Sequence, residues 1–164
     1  MNYVVIPARW SSSRLPGKPL KKIGSKPMIQ WVYESCSKSD ADFIFIATDS
    51  EKIRDQVLEF NGQVIMTSID HKTGTDRIYE ALTLLDKKNI DFIMNVQGDE
   101  PDIDVDDIRT LHDKMRLNKS KIGTLAAKIN NDEYEKINKN LWDNTVSYKT
   151  NILSFAEQYE YDIE

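Results

Sequence analysis

The sequence predicts an α/β protein in which a mostly parallel sheet lies between two layers of helices. Short apolar runs rich in β-branched and aromatic residues alternate along the chain with amphipathic helical patterns. Several of these runs contain no regular polar alternation, which is typical of parallel strands covered on both faces. Strands that alternate with helices form βαβ units, so their order along the chain indicates a three-layer parallel sheet.

Four apolar runs and four amphipathic patterns define the elements of this fold. The predicted strands are residues 3–6, 43–47, 63–66 and 92–96. Pro27 begins the first helix, because proline is favoured at helix starts, and Asp49 or Ser50 caps the second. Thr75 begins the third helix, and the fourth spans residues 105–117. The side chains expected to face the core are Met28, Trp31, Val32, Ser35, Ile53, Val57, Phe60, Ile78, Ala81, Leu82, Leu85, Ile108, Leu111 and Met115.

The pattern beyond residue 117 is weaker and predicts shorter elements. Residues 122–129 resemble a strand, residues 131–138 a short helix, and residues 146–149 and 152–155 a hairpin. No internal repeat, low-complexity tract or linker interrupts the sequence, so residues 1–164 are predicted to form one domain.

Composition and charge argue against several classes of protein. Of the 164 residues, 40% are hydrophobic and 30% are charged, which is typical of a folded globular chain. The formal net charge of −5 argues against a nucleic-acid-binding face, and no apolar run is long enough to span a membrane. No signal peptide is evident, and the single Cys36 cannot form an internal disulfide. These observations together predict a cytoplasmic location.

The loop after the first strand carries the strongest indication of a ligand. Residues 7–20, PARWSSSRLPGKPL, contain the cations Arg9, Arg14 and Lys18 together with three serines and Gly17. Arginine presents a planar fork to phosphate and lysine a compact charge, so a loop of this composition after a strand suits a polyphosphate. The alternative is a solvated surface loop with ordinary charges.

Two further polar segments follow predicted strands. Because the carboxyl ends of parallel strands share one edge of the sheet, these segments and the first loop are expected to meet in one crevice. Residues 70–77, DHKTGTDR, offer hydroxyls, a glycine and backbone amides that can hold a nucleobase or an anion. A capped helix start without a ligand is the alternative, and His71 by itself indicates no function.

The segment after the fourth strand, VQGDEP at residues 96–101, supplies a free carboxylate. Gly98 allows a sharp turn, which leaves the side chain of Asp99 at the end of the strand. Magnesium prefers a few carboxylates together with water and substrate phosphates, so Asp99 beside a polyphosphate loop suits a magnesium ion. A turn with acidic side chains in solvent is the alternative. The later acids are expected to cap and precede the next helix, namely Asp102, Asp104, Asp106 and Asp107.

Other catalytic patterns are missing from the sequence. It contains no Gly-x-Ser-x-Gly, no His-Glu-x-x-His and no pair of cysteines for a metal. The Walker pattern of P-loop proteins and the Gly-x-Gly-x-x-Gly pattern of dinucleotide-binding proteins are also absent. A standard P-loop nucleotide hydrolase and a dinucleotide-dependent dehydrogenase are therefore not expected.

Five segments, in order, resemble one enzyme family. They are IPARWSSSRLPGKPL, KPMIQWVYE, IATD, MTSIDHKTGTDRIYE and NVQGDEP, and they cover the chain from Tyr3 to about Pro101, with a weaker match through Ile129. Together they resemble the 3-deoxy-manno-octulosonate (Kdo) cytidylyltransferases, also called CMP-Kdo synthetases. The opening loop, with its lysine, resembles this family more than the CMP-sialic acid synthetases.

The resemblance implies a Rossmann-like nucleotidyltransferase fold and the formation of CMP-Kdo and pyrophosphate from CTP and Kdo. In the family, the anomeric hydroxyl of the sugar acid attacks the α-phosphorus of CTP, and magnesium offsets the charge. Asp99 matches a magnesium-binding aspartate, and Gln97 matches a residue close to the sugar. The positions that match nucleotide-binding residues are Ala8, Arg9, Arg14, Lys18, Lys72, Thr73, Gly74 and Thr75. Those expected to act in catalysis are Arg9, Lys18 and Asp99.

The resembled family continues well past residue 164. The resemblance implies that this further part carries most of the sugar-acid pocket, a second metal-binding aspartate and much of the homodimer contact. A Phe-Ser-Arg run of the family aligns loosely with residues 155–157, where Glu157 stands in place of arginine. Two classes of function therefore remain open. One is a cytidylyltransferase, active alone or completed by another chain, and the other is a CTP-binding module or regulatory partner without turnover.

Overall fold

The computed structural model describes residues 1–11, 15–85 and 89–125. The strands among them are β1 (Asn2–Ala8), β2 (Lys22–Ile23), β3 (Lys26–Pro27), β4 (Phe43–Thr48), β5 (Val64–Met66) and β6 (Phe92–Asn95). The helices are α1 (Met28–Cys36), α2 (Glu51–Glu59), α3 (Gly74–Leu84) and α4 (Val105–Asn118), and a short 3-10 helix covers Lys18–Leu20. All of them lie in the first of the two compact units into which the chain divides, Met1–Thr124 and Leu125–Glu164.

Four strands form one parallel sheet with the order β5-β4-β1-β6. β1 pairs with β4 through Tyr3 opposite Phe43, and with β6 through Val5 opposite Asn95. The chain passes outward from β1 to β4 and β5 and then returns to the other side of β1 to form β6. The strand order therefore reverses between β1 and β6, and in open α/β sheets a ligand crevice forms at the carboxyl ends of such neighbours.

Helices cover both faces of the sheet, as predicted. On one face α1, α2 and α4 pack on the strands, and the buried side chains of this layer are Val4, Ile6, Ala8, Ile29, Val32, Cys36, Ile46, Ile53, Val57, Val96 and Ile108. On the opposite face α3 packs on the strands, and the buried side chains are Val5, Phe45, Ala47, Ile78 and Ala81. Successive side chains of a strand point to opposite faces, so β1 must be apolar throughout to serve both layers.

The buried face of α1 is shifted by one residue from the predicted face. Its buried side chains are Ile29, Val32 and Cys36, so only Val32 of the predicted core face is confirmed. Trp31 lies at the side of the helix instead, where its Nε1 donates a hydrogen bond of 2.9 Å to the carbonyl oxygen of Ile23. This bond ties α1 to the antiparallel pair of β2 and β3, which apolar periodicity did not reveal.

Side-chain caps set the starts of two helices. The Thr73 hydroxyl accepts a hydrogen bond of 3.1 Å from the backbone N–H of Asp76, so α3 begins at Gly74 rather than at the predicted Thr75. Asp104 caps α4 in the same way, as predicted, whereas Asp106 and Asp107 lie in its first turn.

The predictions for the C-terminal part of the sequence fall mostly outside the described residues. Residues 122–125 are described and contain no strand, and the remainder of the predicted strand 122–129 lies outside them. The predicted helix at 131–138 and the hairpin after residue 145 also lie outside. A single domain over residues 1–164 stays a prediction. In the part of the chain that the structure describes, no helix is long and apolar enough to cross a membrane.

Candidate functional site

Two adjoining cavities open at the carboxyl edge of the sheet. The larger, of about 400 Å³, lies between the end of β1, the start of the 3-10 helix and the loop after β6. The smaller, of about 160 Å³, lies between the end of β1 and the loop that leads into α3. Pro7, Ala8, Arg9 and Gln97 line both cavities. The predicted meeting of three loops at one edge is therefore seen in the structure.

One ion pair joins the loop after β1 to the loop after β6. Lys18 Nζ donates a hydrogen bond of 2.6 Å to Asp99 Oδ2 across a sequence separation of 81 residues. The two side chains remain 36% and 51% exposed, and exposed pairs of this kind add little to the free energy of unfolding. The contact therefore brings a cation and an anion to the larger cavity without holding them tightly together.

The backbone at Gly17 turns Lys18 back toward the sheet edge. Gly17 has a φ of 68°, and its N–H donates a hydrogen bond of 2.9 Å to the carbonyl oxygen of Trp10. A Cβ at Gly17 would lie 2.9 Å from the Trp10 ring, so the left-handed backbone and the close approach both favour glycine. Arg14, which was predicted to bind phosphate, lies outside the described residues.

Gly98 brings the loop after β6 against β1. A Cβ at this position would lie 3.0 Å from both the carbonyl oxygen of Pro7 and Cδ1 of Ile29, so a side chain would push the loop away. Gly98 lies in the predicted turn, which is closed by a hydrogen bond of 3.2 Å from the Glu100 N–H to the carbonyl oxygen of Gln97. Its φ is not positive, so close packing rather than backbone strain favours glycine at this position. Its approach to β1 sets the next residue, Asp99, at the wall of the larger cavity.

The loop into α3 forms one wall of the smaller cavity. Residues 71–74 and Arg77 line it. Thr75, also a predicted nucleotide-binding position, lies in the first turn of α3 and lines neither of these two cavities. The other predicted positions of this segment, Lys72, Thr73 and Gly74, share one cavity wall.

A buried ion pair that the sequence analysis missed borders the smaller cavity. Arg77 Nη2 donates a hydrogen bond of 2.7 Å to Asp49 Oδ2, and the side chains are only 3% and 6% exposed. Arg77 Nη1 also donates to Thr67 Oγ1 at 2.5 Å and to the Ser68 carbonyl oxygen at 3.3 Å. The Asp49 carboxylate therefore binds Arg77 instead of capping α2, whose N-cap residue is Ser50. An arginine on the apolar face of α3 was the one sign in the sequence that pointed to this pair.

Glu80, further along α3, holds the same loop. Its Oε2 accepts a hydrogen bond of 2.7 Å from the backbone N–H of Ser68 and also contacts His71 Nε2. The hydrogen bond with His71, followed by the one from Ser68, holds the pKa of Glu80 below its ordinary value of 4.5. Glu80 thus binds the N–H of Ser68 while Arg77 binds its carbonyl oxygen, so two side chains of α3 fix one residue of the loop.

The surroundings of Asp99 fit a magnesium ion shared with a ligand rather than one held by protein alone. Among the described residues, no three His, Cys, Asp or Glu side chains lie together as a metal site. Magnesium often takes one or two carboxylates and completes its shell with water and phosphate oxygens, and the exposed Asp99 can supply one carboxylate. Burial, and after it the negative charges of Asp99 and Asp102, raise the pKa of the neighbouring Glu100.

Comparisons with known proteins find cytidylyltransferases. The family described as Cytidylyltransferase matches residues 3–158. The 3-deoxy-manno-octulosonate cytidylyltransferase of Vibrio cholerae is 47% identical over 137 residues, which cover 84% of this chain and 54% of that protein. The protein of the same name from Saccharophagus degradans is 56% identical over 102 residues, which cover 62% of this chain and 40% of that protein.

A solved structure of a CMP:2-keto-3-deoxy-manno-octonic acid synthetase complexed with CTP has the same fold. It is 44% identical, the TM-score is 0.67, and the match covers 73% of this chain and 48% of that chain. This likeness confirms the predicted nucleotidyltransferase fold. The chain spans about half the length of the relatives that it matches. Because the family match covers nearly the whole sequence, the chain belongs to the cytidylyltransferase family.

Proposed function

We propose that this chain binds CTP and, with Kdo as the acceptor, forms CMP-Kdo and pyrophosphate. The observation that carries the proposal is the position of Arg9, which directly follows β1 and lines both cavities. A cation at this point can contact a phosphate that joins a nucleoside in one cavity to further phosphates in the other. The similarity to 3-deoxy-manno-octulosonate cytidylyltransferases supports the choice of CTP and Kdo as substrates.

The two cavities suit the two ends of a nucleoside triphosphate. Residues 71–74 offer the smaller cavity hydroxyl and backbone groups that can bind a base and its sugar. Lys18 offers the larger cavity a cation that can bind the β- and γ-phosphates. As the nucleotide enters, Lys18 exchanges the Asp99 carboxylate for a phosphate oxygen, which its exposed ion pair allows.

The proposed reaction requires neutralisation of charge and alignment more than a protein nucleophile. The anomeric oxygen of Kdo forms a bond to the α-phosphorus of CTP, and the hydroxyl proton passes to solvent. The bond from this phosphorus to the oxygen that bridges to the β-phosphorus breaks, and pyrophosphate leaves. Arg9 and Lys18 offset the negative charge on the phosphates during this exchange.

Asp99 is the residue proposed to hold magnesium. The ion, when bound, supplies further neutralisation and orients the triphosphate. An Asp99→Asn variant should keep its fold but lose most of the magnesium dependence of CTP binding, because an amide is a poorer ligand for this cation. Calorimetric titration of CTP at several magnesium concentrations measures this. An unchanged magnesium dependence rejects the role of Asp99.

A CTP-binding module without turnover is the alternative function. Gln97, the residue proposed to lie close to the sugar acid, lines both cavities, whereas residues 155–157 lie outside the described part of the chain. Because the chain spans about half the length of the relatives that it matches, turnover is tested separately from CTP binding.

Pyrophosphate release by the 164-residue chain separates the two functions. We expect release that requires CTP, Kdo and magnesium together. Binding of CTP in calorimetry without any release would favour the binding module. Absence of both binding and release rejects the proposal. The solution mass of the same sample tests the homodimer that the family resemblance predicts.

A further inference from the structure

We infer that the buried pair of Arg77 and Asp49 positions the segment at residues 67–74 for nucleotide binding, an inference that rests on the function proposed above. Neither residue belongs to the positions predicted to contact CTP. Arg77 also lines the smaller cavity, but with side chains only 3% and 6% exposed both residues hold the segment mainly from beneath the surface. They are positioning residues, because they act through the loop that they hold.

The energetics of the pair argue against a purely stabilising role. Removal of two charges from water is costly, and apolar side chains of similar volume often stabilise a core as well or better. A buried pair is therefore a weak device for stability by itself. The other hydrogen bonds of Arg77 go to Thr67 and Ser68 in the loop rather than to core residues, so the pair holds the loop in place.

Three elements meet at the Arg77 guanidinium. Arg77 extends from α3 and binds Asp49, which directly follows β4. It also binds Thr67 and the carbonyl oxygen of Ser68, which follow β5. The backbone N–H of Thr67 donates a hydrogen bond of 2.9 Å to the carbonyl oxygen of Thr48 at the end of β4. The first residues of the loop are thus held from α3 and from β4 at once.

The geometry of arginine is essential to this arrangement. The guanidinium is a planar fork with fixed donor directions, so its two Nη atoms can serve Asp49 and Thr67 at the same time. A lysine keeps the positive charge but has a single nitrogen and no fixed fork. Arg77→Lys therefore keeps the charge of the pair and removes its hydrogen bonds to the loop, and Thr67→Val removes one of these bonds from the other end.

The test compares two ligands on the full chain. Arg77→Lys removes two hydrogen bonds that hold the loop, and Thr67→Val removes one of them. Thr67→Val should weaken CTP binding roughly tenfold and Arg77→Lys by at least as much, because the loop is no longer held in its binding position. Inorganic tripolyphosphate, which needs only the cations of the larger cavity, should bind as in the wild type. Thr67→Ser keeps the hydroxyl and should restore CTP binding. Arg54→Lys is the matched control, because Arg54 forms an exposed pair with Asp55 on α2.

Amide hydrogen exchange without any ligand gives an independent measurement. The amides of residues 67–70 should exchange faster in Arg77→Lys than in the wild type, while those of β1 and β4 stay unchanged. Unaltered loop exchange and unaltered CTP binding in both variants overturn the inference, as does an equal loss of affinity for CTP and tripolyphosphate. A wild-type chain that fails to bind CTP refutes the proposed function, and loop exchange then still decides whether Arg77 holds the loop.

Discussion

The two walls of the candidate site are built in opposite ways. The phosphate wall, made of Arg9, Lys18 and Asp99, is joined by an ion pair whose side chains are 36% and 51% exposed. In the proposed function the segment at residues 67–74 is the nucleoside wall: residues 71–74 line the smaller cavity, and Thr67 and Ser68 are held by an ion pair whose side chains are 3% and 6% exposed. In the proposed function, the first wall can exchange its partners, and the second cannot without breaking the fold around it.

This difference matches what each part of a nucleotide demands. A polyphosphate is itself charged, so the cations that bind it must first release the anions with which they were paired. Breaking a weak, exposed ion pair costs little free energy. A nucleoside is recognised by a few hydrogen-bonding groups in fixed places, and misplacement of those groups loses binding. A rigid support beneath one wall and a loose contact across the other serve both needs.

Stability measurements should show the largest contrast between the two pairs. Asp49→Ala leaves the Arg77 charge buried without its partner and should lower the free energy of unfolding by about 3–5 kcal/mol. Asp99→Ala removes one partner of an exposed pair and should change it by less than about 1 kcal/mol. Urea denaturation followed by circular dichroism measures both variants. Equal losses would contradict the distinction between the walls.

The next largest difference between the two walls should be in the affinity for ligands with and without phosphates. Arg9→Ala should weaken CTP binding by roughly 10- to 100-fold, since hydrogen bonds to charged groups contribute about 1.5–3 kcal/mol. Binding of cytidine, which carries no phosphate, should change far less. Calorimetry with the two ligands makes the comparison, and an equal loss for both would remove Arg9 from the phosphate wall.

A smaller effect concerns the pH dependence of the nucleoside wall. The pKa of Glu80 lies below its ordinary value, so its carboxylate contributes stability above that value and loses this contribution as the pH falls through the lowered pKa. Glu80→Gln should therefore be less stable than the wild type at pH 7, and the difference should shrink as the pH falls below about 4.5. Thermal melting from pH 3 to pH 8 measures the trend. A constant difference would assign the effect to packing.

The core layer between α1 and the sheet should show the smallest response. Burial raises the pKa of the Cys36 thiol to about 12. Native protein should therefore react negligibly with a thiol reagent at pH 8, and unfolded protein should react at once. Rapid reaction of the folded chain would show that the end of α1 opens and exposes this core layer.

Periodicity in the sequence was sufficient for the elements that pack on the sheet. The four strands and four helices predicted before residue 118 are all present, with small shifts in their boundaries, whereas the strand predicted from residue 122 is not formed over the described residues 122–125. The shifted face of α1 shows the limit of this reasoning, because Trp31 is apolar but its indole N–H requires a partner, which it finds in Ile23. The β2–β3 pair was not predicted, because strands of two residues are too short to show an alternating apolar pattern.

The sequence by itself determined the three-layer parallel sheet and the loops that line its edge, because apolar periodicity and the order of strands constrain both. Only the tertiary structure decided that Asp49 binds Arg77 and that Lys18 reaches Asp99. The partner of a charged side chain depends on distances between elements that lie far apart in the chain. Neither composition nor spacing contains those distances, so the two ion pairs of the site are seen only in the folded chain.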